Sequence, residues 1–285
     1  MLSNTKIAFV GSGSMAEAMI AGLVGQRLVE PGAVSAAGPR AARGEALHGK
    51  YGIAVTTGNR EAVEGAGVVV LSIKPQMLGS VAEELRRNVA PEALVLSILA
   101  GTRIETIANA LQHGAIARAM PNTPAQIGQG ITVWTAAAEV SEAQRKQAEL
   151  ILGACGSQVY MGDEDYLDMA TAVSGNGPAY VFLFMEAMVD AAVHLGFSRQ
   201  VAEQLVLQTV KGTAEYALRS EQHLSRLRNQ VTSPGGTSAE ALYYLEKAGF
   251  RTAISRAIWA GYQRAVQLGR GKKRSHLAAG DKQSL

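Results

Sequence analysis

The chain has 285 residues, of which 47% are apolar and 18% are charged, and its formal net charge is +3. This composition excludes a disordered chain, and the length predicts one or two domains that each have a full core. The single cysteine, Cys155, excludes a disulfide framework. A strand pattern begins beside Lys6, and no apolar run reaches membrane-spanning length. We therefore expect a cytoplasmic protein with no signal peptide and no membrane partner.

Short apolar runs alternate with helical patterns over the first 160 residues or so. The predicted strands, in chain order, are 7–10, 34–37, 53–56, 68–73, 94–98, 116–120 and 131–134. The predicted helices between them include 14–25, 77–88 and 102–111. This alternation predicts an α/β fold with a doubly wound parallel sheet of the Rossmann type.

Residues 11–16 have the pattern G-x-G-x-x-A, between the first predicted strand and the first predicted helix. That context is the one in which this pattern marks a dinucleotide site. Gly11 permits the tight turn, Gly13 lets a pyrophosphate approach the backbone, and Ala16 allows close packing of helix on strand. A purely structural turn is the weaker alternative, so we predict that this loop binds a dinucleotide.

The end of the second strand decides which dinucleotide is preferred. NAD-binding domains place an acid there, about 20 residues after the fingerprint. Glu30 has that spacing, but it precedes the turn at Pro31 and so lies at the wrong end of the strand. The correct end carries Arg40 and Arg43 and no acid, which favours NADPH, with NADH possible. In the alternative interpretation, both arginines only start an exposed helix and cofactor choice is loose.

Three more loops follow predicted strands at their carboxyl ends, where open α/β sheets bind ligands. Lys74, just before Pro75, is either an ordinary surface lysine or part of the cofactor cleft. Ala100 and Gly101 offer a small surface against which a nicotinamide ring can lie. Residues 121–124, Pro-Asn-Thr-Pro, form a stiff loop that suits the floor of a site.

The pattern changes near residue 162, after which every predicted element is a helix: 164–173, 178–195, 199–218, 221–229, 237–248 and 252–268. We predict a dinucleotide-binding domain over 1–162, an all-helical domain over 163–269 and a flexible basic tail over 270–285. The tail contains Arg270, Lys272, Lys273 and Arg274. It contains no interleaved aromatic residue, so a solvated segment is favoured over a nucleic-acid site.

The helix predicted over 178–195 is apolar on nearly every side. Such a helix is buried, either by the rest of the chain or by a second subunit. Its polar positions Glu186, Asp190 and His194 recur every four residues on one face. Pairing with a neighbouring helix or subunit is favoured over metal ligation, and we expect no metal.

Two glycine-rich segments open helices in this half of the chain. Residues 174–180 are Ser-Gly-Asn-Gly-Pro-Ala-Tyr, and residues 233–238 are Ser-Pro-Gly-Gly-Thr-Ser. In the second segment, paired glycines let the backbone approach a ligand, and the free N–H groups and hydroxyls of a helix N-terminus suit a carboxylate. The alternative for both segments is ordinary helix-entry chemistry.

In their order along the chain, these segments resemble the pyrroline-5-carboxylate reductases, which make proline from its cyclic imine. The segments are residues 11–16, 74–75, 122–124, 174–180 and 231–246, and the likeness extends over about residues 5 to 268. It implies an N-terminal Rossmann domain and an all-α C-terminal domain that binds substrate and joins at least two subunits. The implied reaction is reduction of 1-pyrroline-5-carboxylate to L-proline with NADPH or NADH, the last step of proline biosynthesis.

The resemblance also implies the residues of the site. The dinucleotide would contact Val10, Gly11, Ser12, Gly13, Ser14, Met15, Asn59, Ser72, Ile73, Lys74, Pro75, Ile98, Leu99 and Ala100, and Arg40 joins them from the end of the second strand. The imino acid would contact Asn122, Ser174, Gly175, Gly177, Pro178, Ser233, Gly235, Gly236, Thr237 and Ser238. Leu99 stands where the family commonly has a small residue, so we expect a reshaped nicotinamide pocket.

A cyclic imine accepts hydride once its nitrogen is protonated, so the protein needs mainly to orient and polarise its ligands. Ser238 is the candidate that hydrogen-bonds the nitrogen or relays a proton, and Lys74 is the second catalytic candidate. An imine reductase for another small carboxylate is an alternative. β-Hydroxyacid dehydrogenases share the plan but use a lysine on the interdomain helix, and no lysine occurs between Lys146 and Lys211. A dinucleotide-binding sensor would not need the 233–238 loop.

Overall fold

The structure is a computed structural model that describes residue 2 and residues 5–269. The described residues form two compact units. The first comprises the residues up to Asn176 together with 261–269, and the second comprises Gly177–Ala260. This grouping does not decide the domain division expected at residue 162, which stays a prediction. The predicted basic tail lies outside the described residues.

The first unit is built on an eight-stranded sheet with the order β3-β2-β1-β4-β5-β6-β7-β8. The strands are β1 (Ile7–Val10), β2 (Val34–Ala37), β3 (Ala54–Thr56), β4 (Val68–Leu71), β5 (Leu94–Ser97), β6 (Ile116–Met120), β7 (Gly130–Ala136) and β8 (Gly156–Tyr160). The first six pair in parallel in the order of a Rossmann fold, which confirms the predicted fold class. One correction concerns the edge, because β7 runs antiparallel to β6 and β8 parallel to β7.

Helices cover both faces of this sheet. They are α1 (Ser14–Gly25), α2 (Ala41–Tyr51), α3 (Asn59–Val63), α4 (Leu78–Leu85), α5 (Ile104–Leu111), α6 (Glu142–Gly153) and α7 (Asp165–Ala170). Successive strand side chains point to opposite faces. In β1, Ile7 and Phe9 therefore join the core cluster that contains side chains of α1 and α6, while Ala8 and Val10 join the cluster that contains those of α4 and α5.

All seven predicted strands are present, three with the predicted ends and four with ends that differ by one or two residues. The eighth strand, β8, was not predicted. Its sequence Gly-Ser-Gln-Val-Tyr begins with small and polar residues, and it is a partly exposed edge strand, so it lacks the apolar run typical of a buried strand. The helix predicted over 164–173 is also shorter than expected, because α7 gives way to a π-helical turn, Thr171–Gly175.

The second unit is helical. Its helices are α8 (Gly177–His194), α9 (Arg199–Arg219), α10 (Leu224–Gln230) and α11 (Thr237–Lys247), and α12 (Phe250–Gly269) begins in it. The expectation that only helices follow residue 162 is confirmed for the described residues. Among all the described residues, no helix has the length and apolar character needed to cross a membrane.

Helix α8 is much less covered than its composition predicts. Within the described chain, Val189 is its one buried residue, whereas Phe182 is 63% exposed and Leu183 is 67% exposed. The described residues alone therefore do not bury this helix, and of the two explanations for its apolar surface, contact with a second subunit is favoured. On its polar side, Asp190 pairs with Arg199 at 3.0 Å. Among the described residues, no group of three His, Cys, Asp or Glu side chains is arranged to hold a metal.

Candidate functional site

The turn after β1 is held by the ends of three neighbouring strands. Gly11 has φ +106°, in the left-handed region, and a Cβ built on it would lie 2.6 Å from the Ser72 carbonyl oxygen. The Ser72 hydroxyl donates to the Gly11 carbonyl at 2.8 Å, and the Ser72 N–H donates to the Val10 carbonyl at 2.9 Å. The Gly11 N–H donates to the Ala37 carbonyl at 3.0 Å. The fold itself therefore requires glycine at residue 11.

Gly13 lies in open space. It is the N-cap of α1 with φ −74°, an ordinary value, and a Cβ built on it would meet no described atom within 4 Å. Gly13 and Ser14 are exposed, and no described side chain caps the helix. Uncapped N–H groups at a helix N-terminus attract anions. The fold does not need glycine at residue 13, but a pyrophosphate that approaches the backbone does, so the residues present fit a dinucleotide.

The two arginines after β2 have different surroundings. Arg40 is exposed at the N-cap of α2. Arg43 donates through Nε to the Ser12 carbonyl at 3.0 Å and through a terminal nitrogen to Glu17 Oε2 at 2.5 Å. Both arginines start a helix, as the alternative interpretation held, but Arg43 also braces the fingerprint loop. Glu30 precedes β2, at the N-cap of the turn Pro31–Ala33, so its placement at the wrong end of the strand is confirmed.

The loops after β3 and β4 carry the next predicted contacts. Lys74 is exposed at the N-cap of a 3₁₀ turn, Pro75–Met77, and Ile73 is half-buried beside it. Asn59 opens α3, and its side-chain amide donates to Glu84 Oε2 at 2.9 Å. Lys74 is therefore open to a ligand, whereas the amide of Asn59 already has a protein partner.

The loop after β5 carries a buried leucine. Leu99 is 1% exposed and packs in the core cluster of α4 and α5. Its side chain points away from the surface, so its backbone is left for the predicted contact, and the expected reshaping of the nicotinamide pocket stays a prediction. The next residue, Ala100, is exposed. Gly101 follows with φ +67°, and a Cβ on it would lie 3.2 Å from Leu268 Cβ.

Asn122 connects two loops of the first unit. Its side chain is buried, its Nδ2 donates to the Ser174 carbonyl at 3.2 Å, and its Oδ1 accepts from the Ile131 N–H at 3.0 Å. The Ser174 hydroxyl donates to the carbonyl of Ala170 at 3.0 Å. A Cβ on Gly175 would press against a methionine side chain at 2.9 Å. These residues brace the π-helical turn, and their contact with substrate stays a prediction.

The loop before α11 lies in the second unit. Gly235 has φ +70° and is exposed. The Gly236 N–H donates to the Ser233 carbonyl at 3.0 Å, and a Cβ on Gly236 would lie 2.5 Å from Ser233 Oγ. The turn itself therefore favours glycine at residue 236, which fits the alternative of ordinary helix-entry chemistry, and a ligand's need for the same space stays a prediction.

The first turn of α11 is open. Gly236 is the N-cap, no described side chain caps the helix, and Thr237 and Ser238 are exposed. The other glycine-rich helix entry, at Gly177 and Pro178, opens α8, and a Cβ on Gly177 would meet no described atom within 4 Å. The start of α11 thus offers N–H groups and hydroxyls together, which is the chemistry expected of a carboxylate site.

A buried ionic cluster in the first unit was not predicted. Arg118, on β6, is 2% exposed and pairs with Glu164 at 2.8 Å and with Asp168 at 3.0 Å. Glu164 also accepts from the Ile104 N–H at 2.8 Å, so the cluster ties the start of α5 to α7. Arg103 pairs with Asp165 of α7 at 2.7 Å, and that hydrogen bond raises the pKa of the Arg103 guanidinium. The one signal in the sequence was an arginine inside an apolar strand.

A cavity of about 700 Å³ in the second unit is separate from these residues. It is lined mainly by side chains of α11 and α12, among them Leu242, Leu245, Ile254 and Ile258. None of residues 233–238 lines it. Its lining also includes Arg228 and Arg251, and Arg251 is paired with Glu246 at 2.8 Å. The carboxylate site at residues 233–238 stays a prediction.

Two family models match the chain. Residues 164–268 match the model described as pyrroline-5-carboxylate reductase dimerisation, and residues 6–101 match the one described as NADP oxidoreductase coenzyme F420-dependent. The pyrroline-5-carboxylate reductase of Pseudomonas aeruginosa is 42% identical over 94% of this chain and 98% of its own length.

Solved structures agree with this match. The pyrroline-5-carboxylate reductase of Coxiella burnetii has a TM-score of 0.87 and 36% identity, over 93% of this chain and 99% of its own. The pyrroline carboxylate reductase of Plasmodium falciparum, solved with NADP bound, has a TM-score of 0.84 and 30% identity, over 94% of this chain and 99% of its own. The resemblance, the fold class and the cofactor class predicted from the sequence are confirmed. The chain belongs to the pyrroline-5-carboxylate reductase family.

Proposed function

We propose that the protein reduces 1-pyrroline-5-carboxylate to L-proline with NADPH as the reductant, the last step of proline biosynthesis. The observation that carries the proposal is the open N-terminus of α11, where Thr237 and Ser238 are exposed beside unpaired helix N–H groups. A small carboxylate is the ligand class that this arrangement fits. Family membership supports the same substrate.

The first unit would hold the dinucleotide. The fingerprint loop and the start of α1 receive the pyrophosphate, and Arg40 is placed for a 2′-phosphate. Lys74 and the backbone of residues 98–100 would line the rest of the site. When bound, the dihydronicotinamide supplies a hydride to the carbon–nitrogen double bond.

In the second unit, the N–H groups at the start of α11 would neutralise the substrate carboxylate and fix the ring. The Ser238 hydroxyl would then hydrogen-bond the imine nitrogen and relay a proton to it, taking one from solvent water as it gives up its own. This role needs a donor that is free in the resting protein, and the exposed side chain of Ser238 in the first helical turn supports it.

Self-association and location belong to the same proposal. We infer that the apolar surface of α8 is covered by a second subunit, which the exposure of Phe182 and Leu183 supports. The match of residues 164–268 to a dimerisation model supports it further. A cytoplasmic location is proposed with it, because that compartment keeps a lone thiol such as Cys155 reduced.

The test is turnover by the purified protein. NADPH should be consumed when 1-pyrroline-5-carboxylate is added, with one proline formed per NADPH, and it should not be consumed alone. A panel of other cyclic imines and of 3-hydroxy acids with NADP⁺ separates the alternatives. Turnover of a hydroxy acid would favour the dehydrogenase alternative. Dinucleotide binding without any turnover would favour a sensor.

A further inference from the structure

Glu17 lies in the first turns of α1, directly after the fingerprint loop, and its carboxylate faces α2. It accepts from Arg43 at 2.5 Å, from Lys50 at 2.9 Å and from the Tyr51 hydroxyl at 3.0 Å. Its side chain is 22% exposed. The hydrogen bonds from Lys50 and then Arg43 lower the pKa of Glu17 to about 2. The carboxylate is therefore ionised at any pH at which the enzyme works.

This cluster lies beside the predicted 2′-phosphate position. Arg43 also donates to the Ser12 carbonyl at 3.0 Å, so it touches the fingerprint loop itself. A Cβ built on Gly38 would collide with the Ser12 side chain, which shows how closely the loop after β2 approaches the fingerprint. The end of β2 is where a Rossmann fold places the ribose 2′ substituent.

Both cations of this cluster already share a carboxylate without a ligand, although one negative charge faces two positive ones. Arg43 and Lys50 are the type of side chain that a 2′-phosphate recruits, and both are already paired with Glu17. Arg40 is exposed at the N-cap of α2. A fixed carboxylate also repels an incoming phosphate dianion.

We propose that Glu17 determines nucleotide selectivity, because its carboxylate takes the place of a 2′-phosphate on Arg43 and Lys50. The 2′-phosphate is then bound mainly through Arg40, and NADH retains access to the site. This inference rests on the proposed dinucleotide site. Glu17→Gln removes the charge and keeps one of the two acceptor oxygens, so Lys50 and Tyr51 can keep their acceptor while Arg43 loses the one at Oε2. It should tighten NADPH binding about tenfold, the equivalent of one charge-assisted hydrogen bond, and leave NADH binding within about twofold.

The experiment is calorimetric titration of the full chain with NADPH, NADH, adenosine 2′,5′-bisphosphate and AMP. The gain in affinity of Glu17→Gln over the wild type should appear only with NADPH and adenosine 2′,5′-bisphosphate, the two ligands that carry a 2′-phosphate. Glu45→Gln is the matched control, since it removes the same charge from an exposed position of α2 and should leave every affinity unchanged. Adding Arg43→Met to Glu17→Gln should remove the gain.

An unchanged or weakened affinity for NADPH in Glu17→Gln would overturn the proposal, as would an equal gain for NADH. Either result would mean that Glu17 only positions Arg43. If the glutamine variant does not fold, Glu17→Ala carries the same prediction, because alanine suits a helix. A wild-type protein that binds neither dinucleotide would overturn the proposed function together with this inference, so the two failures are distinguishable.

Discussion

The molecule has two glycine-rich loops that lead into uncapped helices, and they are built differently. The loop before α1 is fastened by the fold: Gly11 is enclosed by Ser72, and the Ser12 carbonyl is held by Arg43. The loop before α11 is exposed, and among the described residues the hydrogen bond that closes it is that of its own turn, in which the Gly236 N–H donates to the Ser233 carbonyl. One loop is braced by distant segments of the chain, whereas the other is a local structure.

The difference indicates how each loop would meet its ligand. A braced loop loses little conformational freedom on binding, so most of its contact energy appears as affinity. A loop held only by its own turn must be ordered by the ligand or by a partner, which lowers affinity but allows adjustment during the reaction. That division suits a tightly held dinucleotide and a small substrate that must enter and leave.

The largest expected effect tests the bracing of the first loop. Gly11→Ala places a methyl 2.6 Å from the Ser72 carbonyl oxygen in a left-handed backbone conformation. It should lower the free energy of unfolding by about 3 kcal/mol or more. Chemical denaturation measures this. Gly13→Ala is the control, since its methyl meets no described atom, and a similar loss in both variants would mean that the bracing is unimportant.

Gly13→Val tests whether the open space beside residue 13 is needed for binding the dinucleotide or for folding. The protein should stay folded with an unchanged midpoint of unfolding, because the side chain enters open space. NADPH affinity should fall on the order of 10²-fold, since the lost interactions are charge-assisted hydrogen bonds to the pyrophosphate. Calorimetry gives the result. Normal NADPH binding would remove the fingerprint from the proposed site.

Ser238→Ala tests whether the second loop takes part in the chemical step through the Ser238 hydroxyl. If the hydroxyl relays a proton, kcat should fall roughly 10²-fold, with little change in NADPH affinity. Steady-state kinetics with each substrate varied in turn gives both quantities. Ser233→Ala, in the same exposed loop, should spare kcat by comparison. A loss of only a few-fold in Ser238→Ala would reduce its role to orienting an imine already protonated by solvent.

Gly236→Ala has the smallest expected effect of these changes. It tests whether glycine is required at residue 236 by the turn with Ser233 or by the substrate. The new methyl would press on Ser233 Oγ, so the loop should shift and KM for the imino acid should rise, by about tenfold for a displaced carboxylate hydrogen bond. Combining it with Ser233→Ala removes the contact with Oγ, and because Ser233 is itself a predicted substrate contact, the KM of the double variant should match that of Ser233→Ala alone. If the KM of the double variant stays above that of Ser233→Ala, the substrate itself needs the space at residue 236.

Periodicity and motif spacing predicted the parts of the molecule that depend on local sequence. Apolar runs located seven strands, and the fingerprint fell between β1 and α1 as its pattern requires. The position of Pro31 correctly placed Glu30 before β2 and not at its carboxyl end. These features follow from neighbours along the chain, so a sequence contains enough to locate them.

Features that depend on tertiary packing were missed. Nothing in the local sequence indicates that Leu99 points into the core, or that Arg118 finds two carboxylates more than 40 residues away. The hydrogen bonds that Glu17 accepts from Arg43 and Lys50 of α2 also join residues that are distant in sequence. These residues are adjacent only because β1 and β2 pair. Side-chain direction and long-range ion pairing are properties of the folded chain.

The most direct test of the central claim follows the hydride itself. The protein is incubated with 1-pyrroline-5-carboxylate and NADPH that carries deuterium at both C4 positions of the dihydronicotinamide, in ordinary water, and the product is examined by NMR and mass spectrometry. The account predicts L-proline with one deuterium, on the ring carbon that is bonded to nitrogen and remote from the carboxylate. Unlabelled proline, or consumption of NADPH without proline, would contradict it.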